Sequence, residues 1–286
     1  LISRRLMLRS IRRLYAWSRV DPVDEELRGW NWDKSPLKPR AYLELGVSEI
    51  ASKYCETRRD VWLKRRLGVK AAPSEPLVKG RLVHEAISLA ISEVSRLVAL
   101  GWSPWDIYEA VRSRWRRLVE GVNRGCWRLV EQVYKYAVMI LLGEVAYEDS
   151  VRSGRSQPVV ISEFKVDGQN LGLSSSLSVD VVTEGGVIVD FKYGSPRDFH
   201  KLSLAGYALA LEAEYEVPYD YGLLVYINDS NGGLKVSYRP VYINSHLRRW
   251  FIEERDNIID MLLEGREPPV DPQCYAGCPY YKVCHP

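Results

Sequence analysis

Cysteine placement constrains this chain more than any other feature. Cys274, Cys278 and Cys284 stand within eleven residues, while Cys55 and Cys126 lie far upstream. Five cysteines in an intracellular-type chain do not suggest a disulfide framework, and three thiols this close together suggest metal ligands. A four-thiolate site needs one more donor. Cys126 sits between Gly125 and Trp127 in a helical run, where a small buried thiol is the default. Cys55 lies in the polar, basic stretch Ser52-Lys53-Tyr54-Cys55-Glu56-Thr57-Arg58-Arg59 and is the better fourth ligand. Joining it to the last three closes most of the chain into one loop and brings its two ends together. Zinc and iron–sulfur both accept four thiolates. Structural zinc usually takes cysteines in two close pairs, so a one-plus-three split leans toward a cluster.

Between these anchors the apolar period changes once. Positions three and four apart recur along Ile2–Trp17, Ile50–Leu67 and Leu82–Leu100, predicting helices. Ser103-Pro104-Trp105-Asp106 opens another, with breaks near Gly121 and Gly125, running to about Tyr147. After Pro158 the period is two, predicting strands at Val159–Val166, Leu171–Thr183, Val187–Lys192, Tyr221–Ile227 and Leu234–Val241. Helices are predicted at Asp198–Glu214 and Ser245–Leu263. The expectation is an α/β chain with a mixed central sheet after a helical region. It divides into a basic helix and Trp-rich linker (1–47), a helical region with Cys55 and His84 (48–157), a sheet core (158–266) and the cysteine tail (267–286).

The hairpin Leu177–Lys192 carries the most chemistry. Glu184-Gly185-Gly186 suits a three-residue loop, since Gly supplies positive φ. Pairing Thr183 with Val187 then sets Asp180 opposite Asp190, with Cβ atoms about 5 Å apart. Lys192, two residues on, shares that face. Facing carboxylates on apolar strands repel unless a cation lies between them, which a divalent metal resolves. A solvent face with two Asp and one Lys is the alternative, but Val182 and Ile188 share that face and argue against full exposure. His84, in Lys79-Gly80-Arg81-Leu82-Val83-His84-Glu85 near a helix start, completes a sensible Mg²⁺ or Mn²⁺ set unless it is a packed core residue. Glu163, one strand earlier, either joins the set or decorates an edge.

A net charge of +3 is too small to announce a nucleic-acid partner. It conceals a basic helical half, however. Arg4, Arg5, Arg9, Arg12, Arg13 and Arg19 cluster first, then Arg58, Arg59, Arg65 and Arg66 around Cys55, then Arg112, Arg114, Arg116 and Arg117. Such runs are solvated faces or a groove tracking phosphates. No apolar run approaches the ~20 residues of a membrane span. Six arginines before Val20 interrupt any signal-peptide core, so a cytoplasmic location without membrane is expected. Scarce Gln, His and Met suit a thermophile.

Taken in order, Cys55, Gly80-Arg81-Leu82-Val83-His84, Leu173 through Asp180, Asp190-Phe191-Lys192, Ala205-Gly206-Tyr207-Ala208-Leu209 and the last three cysteines resemble the CRISPR-associated Cas-four nucleases. These are RecB-like DNA exonucleases of the PD-(D/E)XK type with an iron–sulfur cluster. The N-terminal extension with Gly29-Trp30-Asn31-Trp32 looks like an archaeal subtype. The resemblance implies His84, Asp180 and Asp190 as ligands of Mg²⁺ or Mn²⁺, with Lys192, Asp180, Asp190 and Tyr207 as catalytic residues. It implies a 4Fe-4S cluster on Cys55, Cys274, Cys278 and Cys284. It also implies a DNA partner, often single-stranded, integrase-type partners in spacer acquisition for antiviral defence, and compatibility with a homo-oligomer. Three departures stand out. Ser203 replaces the family's Gln, so orienting the substrate at that point either lapses or falls to His200 or Lys201. Asp190 is the shorter acid, and three, then five, residues separate the last cysteines. Ser203 favours a second reading, a non-catalytic DNA-binding iron–sulfur subunit of the spacer-acquisition complex. A zinc-bearing adaptor is a third.

Overall fold

The computed structural model describes residues 3–151, 160–183, 185–230, 233–274 and 277–286. Helix α1 (Arg4–Val20) leads, then two short turns, then α2 (Val47–Ala51) and α3 (Arg59–Arg66). Next come α4 (Glu75–Ala99), α5 (Pro104–Val111) and α6 (Trp127–Val151). Strands β1 (Val160–Val166), β2 (Leu177–Thr183) and β3 (Val187–Tyr193) are followed by α7 (Lys201–Tyr215). Strands β4 (Tyr221–Ser230) and β5 (Gly233–Tyr242), α8 (Ser245–Glu264) and α9 (Tyr281–Cys284) complete the order. Pro158, Val159 and Glu184, where parts of the predicted period change and hairpin loop fall, lie outside the described residues, as does Ile2.

The five strands form one sheet in the order β1-β2-β3-β4-β5. All neighbours are antiparallel except β3 and β4, which are parallel and joined through α7. Alternation along the strands divides the core in two. Ile188, Leu224 and Tyr226 face a cluster built with α7 and α8. Val189, Phe191, Leu223, Val225 and Ile227 face another, built with α4 and α6. The α/β class and mixed sheet expected from the periodicity are therefore present.

Boundaries differ where local chemistry overrides period. The predicted Ile50–Leu67 helix is two helices, because Ser52–Arg58 loops out and Arg58 adopts φ 59°. Helix α4 begins at Glu75 with Pro76 in its first turn, so His84 lies in its interior rather than near its start. Ser103 caps α5 as expected, its hydroxyl accepting the Asp106 amide at 3.3 Å. Gly121, at φ 75°, falls in the predicted break before α6. β2 starts only at Leu177, since Gln169–Leu171 forms a turn and Leu173 bridges to Leu45.

The Trp-rich segment after α1 is loop in backbone but packs into the core. Leu27 and Leu37 are fully buried. Gly29 donates its amide to Glu212 of α7 at 2.9 Å, and a Cβ there would stand 2.1 Å from the Leu209 carbonyl oxygen. Glu212 also accepts Arg248 Nη1 at 2.7 Å and Nη2 at 2.8 Å, and Arg28 Nη1 at 3.0 Å. This buried ion cluster ties the N-terminal segment to α7 and α8. No helix among the described residues is long and apolar enough to cross a membrane.

Candidate active site

The β2–β3 ladder creates the site by ending early. Val181 pairs with Val189 and Val182 with Ile188, the register expected from the Gly-rich loop. Gly186, at φ 71°, closes that loop by donating to the Thr183 carbonyl at 2.9 Å. One step further the same register sets Asp180 against Asp190, and there a side chain replaces the backbone ladder. Asp180 Oδ2 accepts the Phe191 amide at 2.7 Å. Its other oxygen meets His84 Nδ1, from α4, at 3.1 Å.

Asp190 is 3% exposed. Its oxygens accept Lys192 Nζ at 2.9 Å and 2.7 Å, and its Oδ2 accepts the Ser203 hydroxyl. Burial opposes ionisation of both carboxyls, yet they part ways. Asp180 is held below the ordinary carboxylate range, because contact with His84, the Phe191 amide and Lys192 outweighs burial. Asp190 is pushed above it by burial, with the Asp180 charge adding and Lys192 opposing. Burial pulls His84 and Lys192 down, but Asp180 outweighs it for His84, and Asp190 for Lys192, so both are raised. Two carboxylates, one ammonium and one imidazole thus share a partly buried corner.

Tyr207 lies one helical turn beyond Ser203, on the same face of α7. Burial and the nearby Asp190 and Asp180 charges push its hydroxyl pKa upward. Glu163 falls opposite Asp180 by register, between the pairs Ser162–Val181 and Phe164–Val179. It has φ 52°, and its carboxylate accepts Ser88 Oγ at 2.9 Å. His200 and Lys201 each have a partner within the fold. His200 is buried, with Nε2 3.1 Å from Tyr54 Oη, and Lys201 pairs with Asp198 at 2.9 Å. The donor the sequence pattern missed is Ser203, whose spacing of four from Tyr207 was its only signal.

Among the described residues, no three His, Cys, Asp or Glu side chains form a ready-made metal-binding group. At the acidic corner each carboxylate has a partner within the chain. Its donor types, two carboxylates and an imidazole, nonetheless fit a hard divalent cation. Cys278, Cys284 and Cys55 all lie within electrostatic reach of Cys274. Burial pushes the Cys274 thiol up to about 11, with Cys278, Cys284 and Cys55 adding to it. A thiol whose ionisation neighbouring cysteines oppose fits a site whose charge a bound metal group would balance. Cys126 is elsewhere, buried against α6 and α4.

The four arginines around Cys55 differ in their surroundings. Arg58 is buried, and its guanidinium donates to the carbonyls of Ser52 at 2.6 Å and Ile50 at 2.9 Å and to Glu254 at 2.5 Å. It satisfies carbonyls that the end of α2 leaves without helical partners. Arg65 clasps Glu49 and the carbonyls of Leu43 and Glu44. Arg59 binds the Pro268 carbonyl and Glu267 and reaches Cys284. Arg66 is exposed. On α1, Arg5, Arg9, Arg12, Arg13 and Arg19 are exposed.

A family model described as "CRISPR-associated exonuclease Csa1" matches residues 1–286. A Thermoproteus tenax protein named CRISPR-associated exonuclease Csa1 is 36% identical over 271 residues, covering 92% of this chain and 91% of that protein. A Saccharolobus solfataricus protein of the same name is 31% identical over 281 residues, covering 92% and 93% respectively. A solved structure titled "Crystal structure of SSO0001" aligns with 71% of this chain and 94% of its own at 16% identity. The TM-score of that alignment is 0.30. The motif resemblance to Cas-four nucleases thus meets these comparisons at the level of a CRISPR-associated exonuclease, and the matching family is Csa1.

Proposed function

This chain belongs to the CRISPR-associated exonuclease Csa1 family, and from that membership we propose a metal-dependent DNA exonuclease centred on His84, Asp180, Asp190 and Lys192. The observation that carries the reading is the convergence of these four side chains where β2 and β3 stop pairing. Asp180, Asp190 and His84 would hold Mg²⁺ or Mn²⁺, which supplies Lewis-acid polarisation of a phosphoryl oxygen and a water acidified for attack. Lys192, kept protonated by Asp190, orients that water or meets the negative charge growing on the phosphate. His84 is fixed in orientation by Asp180, as imidazole ligands commonly are by a carboxylate. Tyr207, a neutral hydroxyl beside the carboxylates, positions the strand rather than moving a proton.

Cys55, Cys274, Cys278 and Cys284 would hold a 4Fe-4S cluster whose contribution is to cross-link the α2–α3 connection to the C-terminal tail. The core between them is RecB-like on this reading. Single-stranded DNA is the substrate we infer, drawn in by the exposed arginines of α1, with activity falling steeply as salt rises. Work beside integrase-type proteins in spacer acquisition, in an archaeal thermophile, completes the proposal.

The test is degradation of end-labelled single-stranded DNA in Mn²⁺, with iron and zinc quantified on the same anaerobic preparation. The reading expects progressive shortening from an end, suppression by chelator, loss in Asp180→Ala protein and about four irons per chain. Equal cleavage by wild type and Asp180→Ala would remove the acidic corner from the reaction. Stoichiometric zinc without iron would replace the cluster.

A further inference from the structure

We propose that Tyr54, His200 and Ser203 form a positioning chain from the cysteine site to the Asp190 carboxylate. Through it, the state of the cysteine site sets how tightly the acidic centre binds a divalent cation. This rests on the reading of both sites given above and goes beyond it by coupling them.

The chain starts in the loop between α2 and α3, where Tyr54 directly precedes Cys55. Tyr54 is half exposed, but its ring packs edge-on against Phe199 at 5.0 Å and its hydroxyl reaches inward to His200 Nε2 at 3.1 Å. His200 is buried at the end of the turn that leads into α7. Its Nδ1 faces the Arg197 amide at 3.4 Å and Tyr226 Oη at 3.3 Å. A backbone N–H can only donate, so Nδ1 is an acceptor and Nε2 carries the hydrogen given to Tyr54. Burial, with Lys192 and Arg197 adding, lowers the His200 pKa to about 4, so the ring keeps this neutral form near neutrality. The backbone carbonyl of His200 accepts Ser203 Oγ at 2.7 Å, and the same Oγ donates to Asp190 Oδ2.

One hydroxyl proton therefore serves two acceptors, one from each end of the chain. Ser203 is 3% exposed, so no bulk water stands ready to substitute for either. Ordering the Cys55 loop fixes Tyr54, Tyr54 fixes the His200 ring, and the His200 carbonyl sets where the Ser203 hydroxyl points. A carboxylate oriented in this way loses less freedom on binding a cation. Outer partners of metal-binding carboxylates and imidazoles commonly change affinity 10- to 100-fold when removed. Ser203, a departure from the Cas-four pattern, thereby acquires a role in orienting Asp190.

The experiment is Mn²⁺ binding by calorimetry and electron paramagnetic resonance, on full-length protein purified anaerobically. Wild type, Ser203→Ala and Tyr54→Phe are compared at matched cysteine-site metal content and matched circular dichroism. Ser203→Ala should weaken Mn²⁺ about tenfold or more, and Tyr54→Phe by a smaller factor in the same direction. Stripping the cysteine-site metal from wild type should weaken Mn²⁺ too, and should do so less in Tyr54→Phe, because the two changes act through one chain. Equal affinity in all three proteins, or equal stripping effects with and without the Tyr54 hydroxyl, would overturn the coupling alone. A wild type that binds no Mn²⁺ at all would overturn the acidic centre and the coupling with it.

Discussion

Two ionic clusters, one buried and one partly buried, differ in charge balance, and that difference separates fold from function. Around Glu212, two carboxylates (Glu212 and Asp220) meet two guanidiniums (Arg28 and Arg248), and both Glu212 oxygens are multiply bonded. Around Asp190, two carboxylates meet one ammonium and an imidazole, and the two acids are driven to opposite sides of their ordinary range. The first cluster is complete within the chain and pins three segments together. The second keeps a surplus of carboxylate over permanent cation, a surplus that fits a metal-assisted site.

The sharpest way to break the comparison is to unbalance the balanced side. Glu212→Ala leaves Arg28 and Arg248 with Asp220 as their one shared anion, and should cost about 3–5 kcal/mol in chemical denaturation. The same order of loss is not expected from Lys192→Ala, since Asp190 can take up a proton in its place. That variant should instead cut DNA cleavage about 10²-fold or more while the folded signal persists. If Lys192→Ala unfolds the protein and Glu212→Ala does not, the two clusters have been assigned the wrong way round.

A smaller effect tests electrostatics outside both clusters. Burial opposes ionisation of Glu49, but Arg65, Lys64 and the Gly46 amide outweigh it and lower its pKa from 4.5 to about 2. A depressed carboxylate contributes stability that is complete above its unfolded value and lost as pH falls through the folded one. The charge-dependent advantage of wild type over Glu49→Gln in urea midpoint should thus be full at neutral pH, shrink below pH 4.5 and be lost as pH falls through about 2. Smallest of all is Glu131→Gln, which removes an exposed pair with Lys135 and should change stability by no more than about 0.5 kcal/mol.

The hairpin was legible because two local rules agree on it: strand alternation and a loop whose glycine must take positive φ. That register set Asp180 against Asp190. The start of α4 was not legible, since Lys79-Gly80 looks like a boundary whereas the helix begins at Glu75-Pro76 and runs through Gly80. Arg58 misled for a different reason. A basic run looks like a solvated face, and nothing local says that one guanidinium will fold inward to meet carbonyls from the end of α2. Glu212 and its arginines were silent because they lie far apart in sequence and meet only in the folded core. Ser203 was visible as a departure, but its partner Asp190 reaches it from another element, so only the fold could give the hydroxyl a purpose.

The most direct test of the acidic centre is single-turnover cleavage of end-labelled DNA in Mn²⁺ by wild type and Asp190→Asn protein. Both should be matched for cysteine-site metal and circular dichroism. The account predicts cleavage by wild type and a loss of about 10²-fold or more in Asp190→Asn, which keeps shape and removes charge. Equal rates in the two proteins would contradict it, because the surplus carboxylate would then have no part in the reaction.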